Sequence, residues 1–427
     1  VLPAFGAIFA DPLMSLIDTA AVGQVDSVQL AAMGPNTAIF NFLCQLFGFL
    51  SIGTTSEVAR ASAKGDPKLL QRSISNALTI AVTLGLATTA ILQLFAPFLL
   101  SSMGAGPQLV AAGESYLRIR GLAVPVVLVC MVCQGTFLGR QDARTPLLIF
   151  LAAGLVNIVL DLYLVLPFGM NMGVTGAAIA TLAAQIVAAT CFVTALYRKD
   201  LLPSRWSPPS LNEISPFLNS SGMLLLGSLC RMGVYTMMTI SATKNGVIAV
   251  AAHQIGLQIF WFLTYFIDPL FVAATSFIAR DIKDKPVNAM RMAMLLLFLS
   301  SLVGCFLAVV STSVALTSTR VFTTDAAIIA AIVKIAPLMG VSQLLSSLVF
   351  VAEGILIGAG DLGYLTWIHC MNFIILGLYL VVSQMLGLGL TGIWFAILLN
   401  QIFRLIQHSI RVRSRSSPFP VHLLRKG

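Results

Sequence analysis

Long apolar runs separated by short polar stretches make up almost the whole chain. Runs of about 20 residues or more, each able to cross a hydrocarbon layer about 30 Å thick as a helix, fall at 1–22, 36–59, 73–100, 112–136, 145–166, 174–197, 213–241, 250–279, 289–313, 326–357, 363–386 and 390–410. Twelve such runs leave no room for a folded soluble domain, and the pattern predicts an all-α integral membrane protein. The polar stretches differ in charge. Arg60, Lys64, Lys68 and Arg72 follow the second run, and Arg280, Lys283, Lys285 and Arg291 follow the eighth. Arg140 and Arg144, then Arg198, Lys199 and Arg205, and the tail from Arg411 onward lie on the same side, so both termini are expected to face the cytoplasm or its topological equivalent.

The pattern also repeats. Leu30–Arg60 lies ungapped on Val250–Arg280, matching Ala-Ala, Ile-Phe-x-Phe-Leu, Thr-Ser and the closing Ala-Arg. QGTFLGRQD (Gln134–Asp142) lies on EGILIGAGD (Glu353–Asp361), and Gly173–Ile186 lies on Gly389–Ile402. The chain therefore reads as two copies of a six-helix unit, and since six is even the copies enter the membrane in the same sense, as parallel repeats. The predicted division is an amino lobe at 1–199, a Pro-rich cytoplasmic linker at 200–212, a carboxyl lobe at 213–410 and a basic tail at 411–427. Two such lobes around a central cleft suit alternating access, which points to a secondary transporter.

Composition narrows the alternatives. With 58% hydrophobic and 10% charged residues, the 427-residue chain is far from soluble usage, where charged residues are about a quarter. The net charge of +9 sits in short loops beside apolar runs, where it sets orientation, and does not mark a nucleic-acid surface. All seven cysteines lie in apolar runs, which argues against a disulfide framework. Cys130 and Cys133 form a CxxC, but no second Cys or His pair stands nearby to complete a metal site. The chain opens at Val1 with no cleavable signal peptide, which leaves room for a targeting segment removed from its front. No HExxH or paired-Asp protease motif supports an intramembrane enzyme.

Charged groups inside the runs are the candidates for function, because an ionised carboxylate at the bilayer centre costs at least about 2.5–3.5 kcal/mol. Asp11 and Asp18, seven residues apart in FADPLMSLIDTAAVG, share a face of the first helix with Ser15 between them. Asp161 sits at a depth like that of Asp18, and Asn157 shares its face at i, i+4. Two carboxylates meeting in a low-dielectric pocket cannot both ionise cheaply, so such a pair becomes a proton acceptor. The plainer reading is a pair sharing a proton for packing alone, and for Asp11 a carboxyl bonding the backbone freed at Pro12. The candidates for a carboxyl-lobe cleft and substrate site are Asp268, Glu353 and Arg231, grouped with Gln134, Tyr265, Trp261 and His253. Asp268 lies opposite Gly48 in the repeat and Glu353 opposite Gln134, so the repeat scaffold requires neither acid. Pro269 is expected to bend its span at Asp268 and free a carbonyl there. Glu353 is open to a plainer reading as part of a solvated vestibule. Arg231 reads as the one basic residue deep in an apolar run, either neutralising a carboxylate or anchoring an anion. His253 reads as a capping or packing residue before a proton relay, and Glu57 as a surface partner of Arg60. Trp261, Tyr265 and the neighbouring phenylalanines fit core and lipid contact first, with a ring-stacking wall for a planar solute as the sharper reading.

Several stretches resemble one family closely. The first run with its DP and DT-x-x-VG, the following LAAMG, YLRIRGLAVP (Tyr116–Pro125), NIVLDLYLV (Asn157–Val165), GAAIATL (Gly176–Leu182), AAHQI (Ala251–Ile255) and GAGD (Gly358–Asp361) are similar to the DinF-like branch of the multidrug and toxic compound extrusion (MATE) family. The Gly-Asp-Arg loop of major-facilitator proteins is missing from ARASAKGDPKLLQR. The DP at Asp11–Pro12 resembles plant-type members, some of which export carboxylates or move phenolics. The resemblance implies a monomeric exporter of small organic solutes, cation or organic anion, by antiport with protons or sodium, in a plasma membrane, vacuole or plastid envelope. It needs no cofactor beyond the coupling ion. It also implies an amino-lobe cation site at Asp18, Asn157 and Asp161, with Thr181 as companion. Many eukaryotic relatives carry an essential carboxylate in span seven; here there is none beyond Glu213 at its edge, and Asp268 is the candidate substitute. A lipid-linked precursor flippase of the same superfamily is the alternative, but such proteins line their cleft with several cations.

Overall fold

The structure, a computed structural model, describes residues 2–202 and 222–414. Arg205, most of the predicted linker and the tail beyond Ser414 lie outside the described residues. The chain folds as helices α1 (Leu2–Gly23), α2 (Ser27–Lys64), α3 (Pro67–Ser102), α4 (in two halves, Pro107–Leu122 and Val124–Gly139), α5 (Arg144–Leu164) and α6 (Gly173–Arg198). It continues as α7 (Gly222–Lys244), α8 (Val247–Asp281), α9 (Pro286–Thr317), α10 (Ala326–Gly358), α11 (Leu362–Met385) and α12 (Gly389–Arg413). Among the described residues nine of these are long and apolar enough to cross a membrane singly, and the bent pair in α4 makes a tenth. They form two compact units, Val1–Leu225 and Leu226–Gly427.

Local chemistry sets the helix limits. Asp26 caps α2 by accepting from the Gln29 N–H at 2.8 Å, and Asp325 caps α10 by accepting from the N–H of Ala327 at 2.9 Å. Asp66 caps α3, whose first turn carries Pro67, where no N–H is needed. Exposed apolar residues such as Leu295, Phe298, Leu302, Phe306 and Val309 form a stripe along α9, as a lipid-facing helix requires.

The repeat is visible in the backbone. Helix α2 is broken at Phe47 and α8 across Tyr265–Ile267. In the register that lays Leu30 on Val250, Phe47 falls on Ile267. The carbonyl expected to be freed by Pro269 is taken, since the N–H of Asp268 bonds back to Tyr265 O in a 3-10 turn. Glycines repeat as well. A Cβ on Gly135 would lie 2.6 Å from Ser51 O, and one on Gly139 2.7 Å from Thr55 O. In the second unit a Cβ on Gly354 would lie 2.8 Å from Phe271 O, and one on Gly358 2.6 Å from Thr275 O. Each unit thus packs its second and fourth helices through the same small-residue seam, the usual way to bring helices close in lipid.

The copies differ in α4 and α10. Helix α4 bends by 44° at Ala123, just before Pro125. Pro125 has no N–H for the Gly121 carbonyl, which accepts instead from Thr89 Oγ1 of α3 at 2.8 Å. Helix α10 has Leu344 at the corresponding place and runs unbroken from Ala326 to Gly358.

Candidate functional site

In the first unit α1, α5 and α6 bring together the residues singled out from sequence. Asp18 is buried on α1, and Asn157 and Asp161, both 0% exposed, lie one turn apart on α5. The carboxyl groups of Asp18 and Asp161 are close enough to share a hydrogen bond once one carries a proton. Thr181 Oγ1 on α6 lies 3.4 Å from Asp18 Oδ2 and donates at 2.8 Å to Ala177 O. Neither oxygen of Asp161 and neither amide atom of Asn157 has a hydrogen-bond partner among the described residues. Buried polar groups without partners are rare in folded proteins, and here they converge with two carboxyl groups on one spot. The arrangement can accept a proton between two carboxyls or offer several oxygens to a cation. Asp11 lies within α1, but its side chain is outside what the structure describes.

Two further residues surround this pocket. Tyr116, buried, and Arg120, one turn on in α4, lie within electrostatic reach of both Asp18 and Asp161. The Arg120 guanidinium stacks 3.9 Å from the centre of the Phe40 ring and donates to Gln185 Oε1 at 3.4 Å. Both sit in YLRIRGLAVP, where neither was singled out from sequence, although their i, i+4 spacing puts them on one helix face.

In the second unit Glu353 is the centre of a buried ionic cluster. Its Oε2 contacts the guanidinium of Arg404, and its Oε1 accepts from Arg231 Nη1 at 3.3 Å and meets His369 Nε2 at 3.1 Å. Glu353 is 3% exposed, so the solvated-vestibule reading fails: α7, α11 and α12 enclose it. Arg231 does neutralise this carboxylate. It is not the one basic residue deep in an apolar run, because Arg404 is 1% exposed and Arg120 also lies within a span. The sequence carries a mark of Arg404: Asn400, Arg404 and His408 recur every four residues through the apolar α12 with Gln401 beside them, and all are buried. Beside them Asn372 and Gln407 exchange two amide hydrogen bonds, both 2.9 Å.

The remaining candidates separate. Asp268 is half-buried on α8, within reach of the Arg231 charge. Gln134, the repeat counterpart of Glu353, belongs to α4 in the first unit and so is not among the second-unit residues with which it was grouped. His253 is fully buried, edge-on to Trp394 with centroids 6.0 Å apart and 3.4 Å from Thr239 Oγ1, as a packing residue is. Trp261 packs on Tyr235 with centroids 4.8 Å apart, and Tyr265 forms the 3-10 turn of α8. Glu57 and Arg60 pair at the end of α2.

The family model MatE matches residues 3–164 and 224–382, most of both units. The chain belongs to the MATE family. This MATE protein is 32% identical over 402 residues to Protein DETOXIFICATION 47, chloroplastic, of Arabidopsis thaliana, covering 92% of this chain and 73% of that protein. It is 28% identical over 264 residues to DNA damage-inducible protein F of Escherichia coli, covering 60% of this chain and 57% of the relative. The inward-facing structure of a multidrug resistance MATE family transporter superposes with a TM-score of 0.85 at 20% identity, covering 94% of both chains. An outward-facing one gives 0.72 at 20% identity, over 100% of this chain and 95% of that one. The DinF-like, plant-type resemblance and the MATE fold are therefore borne out, and the protein is a membrane transporter.

Proposed function

We propose that this MATE transporter exports an organic solute in exchange for protons, and that Asp18 and Asp161 accept the coupling proton. The observation that carries the reading is the pocket on α1 and α5, where two buried carboxyls meet beside Asn157 and Asp161 has no hydrogen-bond donor among the described residues. A proton between the two removes a charge that lipid-embedded protein tolerates poorly. Each pH unit supplies about 1.4 kcal/mol per proton and each 100 mV about 2.3 kcal/mol per charge moved, so one or two protons drive modest accumulation. Alternating access then couples proton entry from the acidic side to solute release. Sodium would use the same oxygens; among the described residues no third carboxylate joins the pair, which favours the proton.

The second unit supports an organic anion as the solute, because two guanidinium groups there face one carboxylate, Glu353. The chloroplastic names of two Arabidopsis relatives support a plastid envelope as the membrane.

The test is solute exchange in proteoliposomes under an imposed pH gradient or, separately, a sodium gradient. Asp18→Asn and Asp161→Asn are expected to abolish pH-driven exchange while leaving solute binding measurable by thermal shift. Wild-type rates in both variants would refute the assignment, and exchange driven by sodium alone would replace the proton with that ion.

A further inference from the structure

Helices α7 and α11 approach each other along one narrow seam. A Cβ on Gly227 would lie 3.2 Å from Thr366 Oγ1 and 3.3 Å from its Cα, and one on Gly233 would lie 2.6 Å from the Phe373 ring. Farther along, a Cβ on Gly377 would lie 3.2 Å from Met237 Sδ. Midway between Gly227 and Gly233 stands Cys230, and between Thr366 and Phe373 stands Cys370. Their sulfurs are 3.3 Å apart, both residues are half-buried, and both thiols are free. The adjacent residues, Arg231 after Cys230 and His369 before Cys370, are the two that hold Glu353 Oε1, at 3.3 and 3.1 Å. Sulfur pair and charge clamp therefore sit on the same turns of the same two helices.

We propose that Cys230 and Cys370 form a reversible disulfide that, when made, locks α7 to α11 and fixes the Arg231–Glu353–His369 clamp. A disulfide bond is about 2.05 Å long, so the sulfurs have little more than about 1 Å to travel. The glycines on either side of Cys230 hold the backbones close enough for that movement. The oxidant is a small disulfide. One cysteine, as thiolate, attacks a sulfur of that disulfide, forming a mixed disulfide and releasing one thiol. The second cysteine then attacks the protein-side sulfur, which closes the Cys230–Cys370 bond and releases the second thiol. Two electrons pass from the cysteines to the oxidant, and the two cysteine protons end on the released thiols. A small dithiol reverses both steps.

The full chain in lipid nanodiscs, equilibrated across ratios of oxidised to reduced glutathione, quenched with N-ethylmaleimide and mapped by mass spectrometry without reduction, tests this. The linked peptide pair carrying Cys230 and Cys370 is expected to rise and fall reversibly with the ratio and to vanish in Cys230→Ser and Cys370→Ser. In proteoliposomes, oxidation is expected to slow exchange at least fivefold in the wild-type protein and to leave Cys230→Ser unaffected. Independent alkylation or glutathionylation of the two cysteines at every ratio would overturn the disulfide. A quantitative link with unchanged exchange would overturn the lock. Should the serine variants fail to fold, mapping of the wild-type protein alone decides the bond, and that readout does not depend on the solute or the coupling ion.

Discussion

Replacing Glu353 by glutamine removes the carboxylate that holds two guanidinium groups, one of which, Arg404, is 1% exposed. Deleting one partner of a buried ion pair costs about 3–5 kcal/mol, because the remaining charge stays out of water without its counter-charge. Arg404→Met is milder. It empties the Oε2 contact but leaves Oε1 with Arg231 at 3.3 Å and His369 at 3.1 Å, so a loss of about 1–3 kcal/mol follows, near that of one charged hydrogen bond. In the double variant neither Glu353 nor Arg404 leaves a buried full charge behind. The double loss should then fall short of the sum of the singles by about 2 kcal/mol or more, the sign of a coupled pair. Thermal unfolding of the purified chain in detergent, followed by tryptophan fluorescence, measures the cycle. At about 2–4 °C per kcal/mol for a unit of this size, Glu353→Gln should lower the midpoint by roughly 6–20 °C and Arg404→Met by clearly less. Equal single shifts that add in the double variant would mean that each group is separately solvated and that the cluster is no unit.

Thr181→Val should slow pH-driven exchange only a few-fold, since its 3.4 Å bond to Asp18 is long, whereas Asp161→Asn abolishes it; a complete loss in Thr181→Val would make the threonine a required ligand. Gly139→Ala and Gly358→Ala should each cost about 1–3 kcal/mol in thermal unfolding, because the new methyl groups meet Thr55 O at 2.7 Å and Thr275 O at 2.6 Å in the same packing context. Asp142, in the loop before α5, is nudged up by slight burial but held down at about 2 by hydrogen bonds from Lys199 Nζ at 2.6 Å and from the side chain and backbone of Thr145. A depressed carboxyl adds stability that is present above its unfolded value of about 3.9 and is lost as pH falls through about 2. Asp142→Asn should therefore cost no more than about 1 kcal/mol at pH 6, as solvent-screened pairs do, and the difference from wild type should vanish between pH 4 and pH 2.

The helices, the repeat and the first-unit pocket were legible in the sequence because each rests on a local rule. Apolar length marks a span, register marks a repeat, and i, i+4 spacing puts Asn157 beside Asp161. Asp18 could be joined to them by depth alone, since both acids stand a similar distance from a helix end. The second-unit cluster was only half legible. Glu353 and Arg231 stood out as isolated charges, but Arg404 lies near the basic tail, where a cation reads as an orientation signal, and its burial depends on α10, which no local pattern ties to α12. The 3-10 turn that recaptures the Tyr265 carbonyl is a response to Pro269 settled by backbone geometry, and sequence gives only the fact that something must give.

The bend in α4 divides one rod into two members with separate duties. Tyr116 and Arg120, beside the acidic pocket, ride on the half before Ala123, which meets the first part of α2 through Gly113 against Asn36, and Gly135 and Gly139 ride on the half after it, against Ser51 and Thr55 farther along α2. The two halves do not share an unbroken hydrogen-bond ladder, because Pro125 gives no N–H to Gly121 and a threonine from α3 takes its place. In mechanical terms the bend is a joint: each half rests on its own part of α2, and the two need not turn as one piece. A shift at Asp18 and Asp161 meets the first half, through Tyr116 and Arg120, before the joint passes it on, whereas in the other unit Glu353, Gly354 and Gly358 share one length of α10 beyond Pro337 with no joint between them.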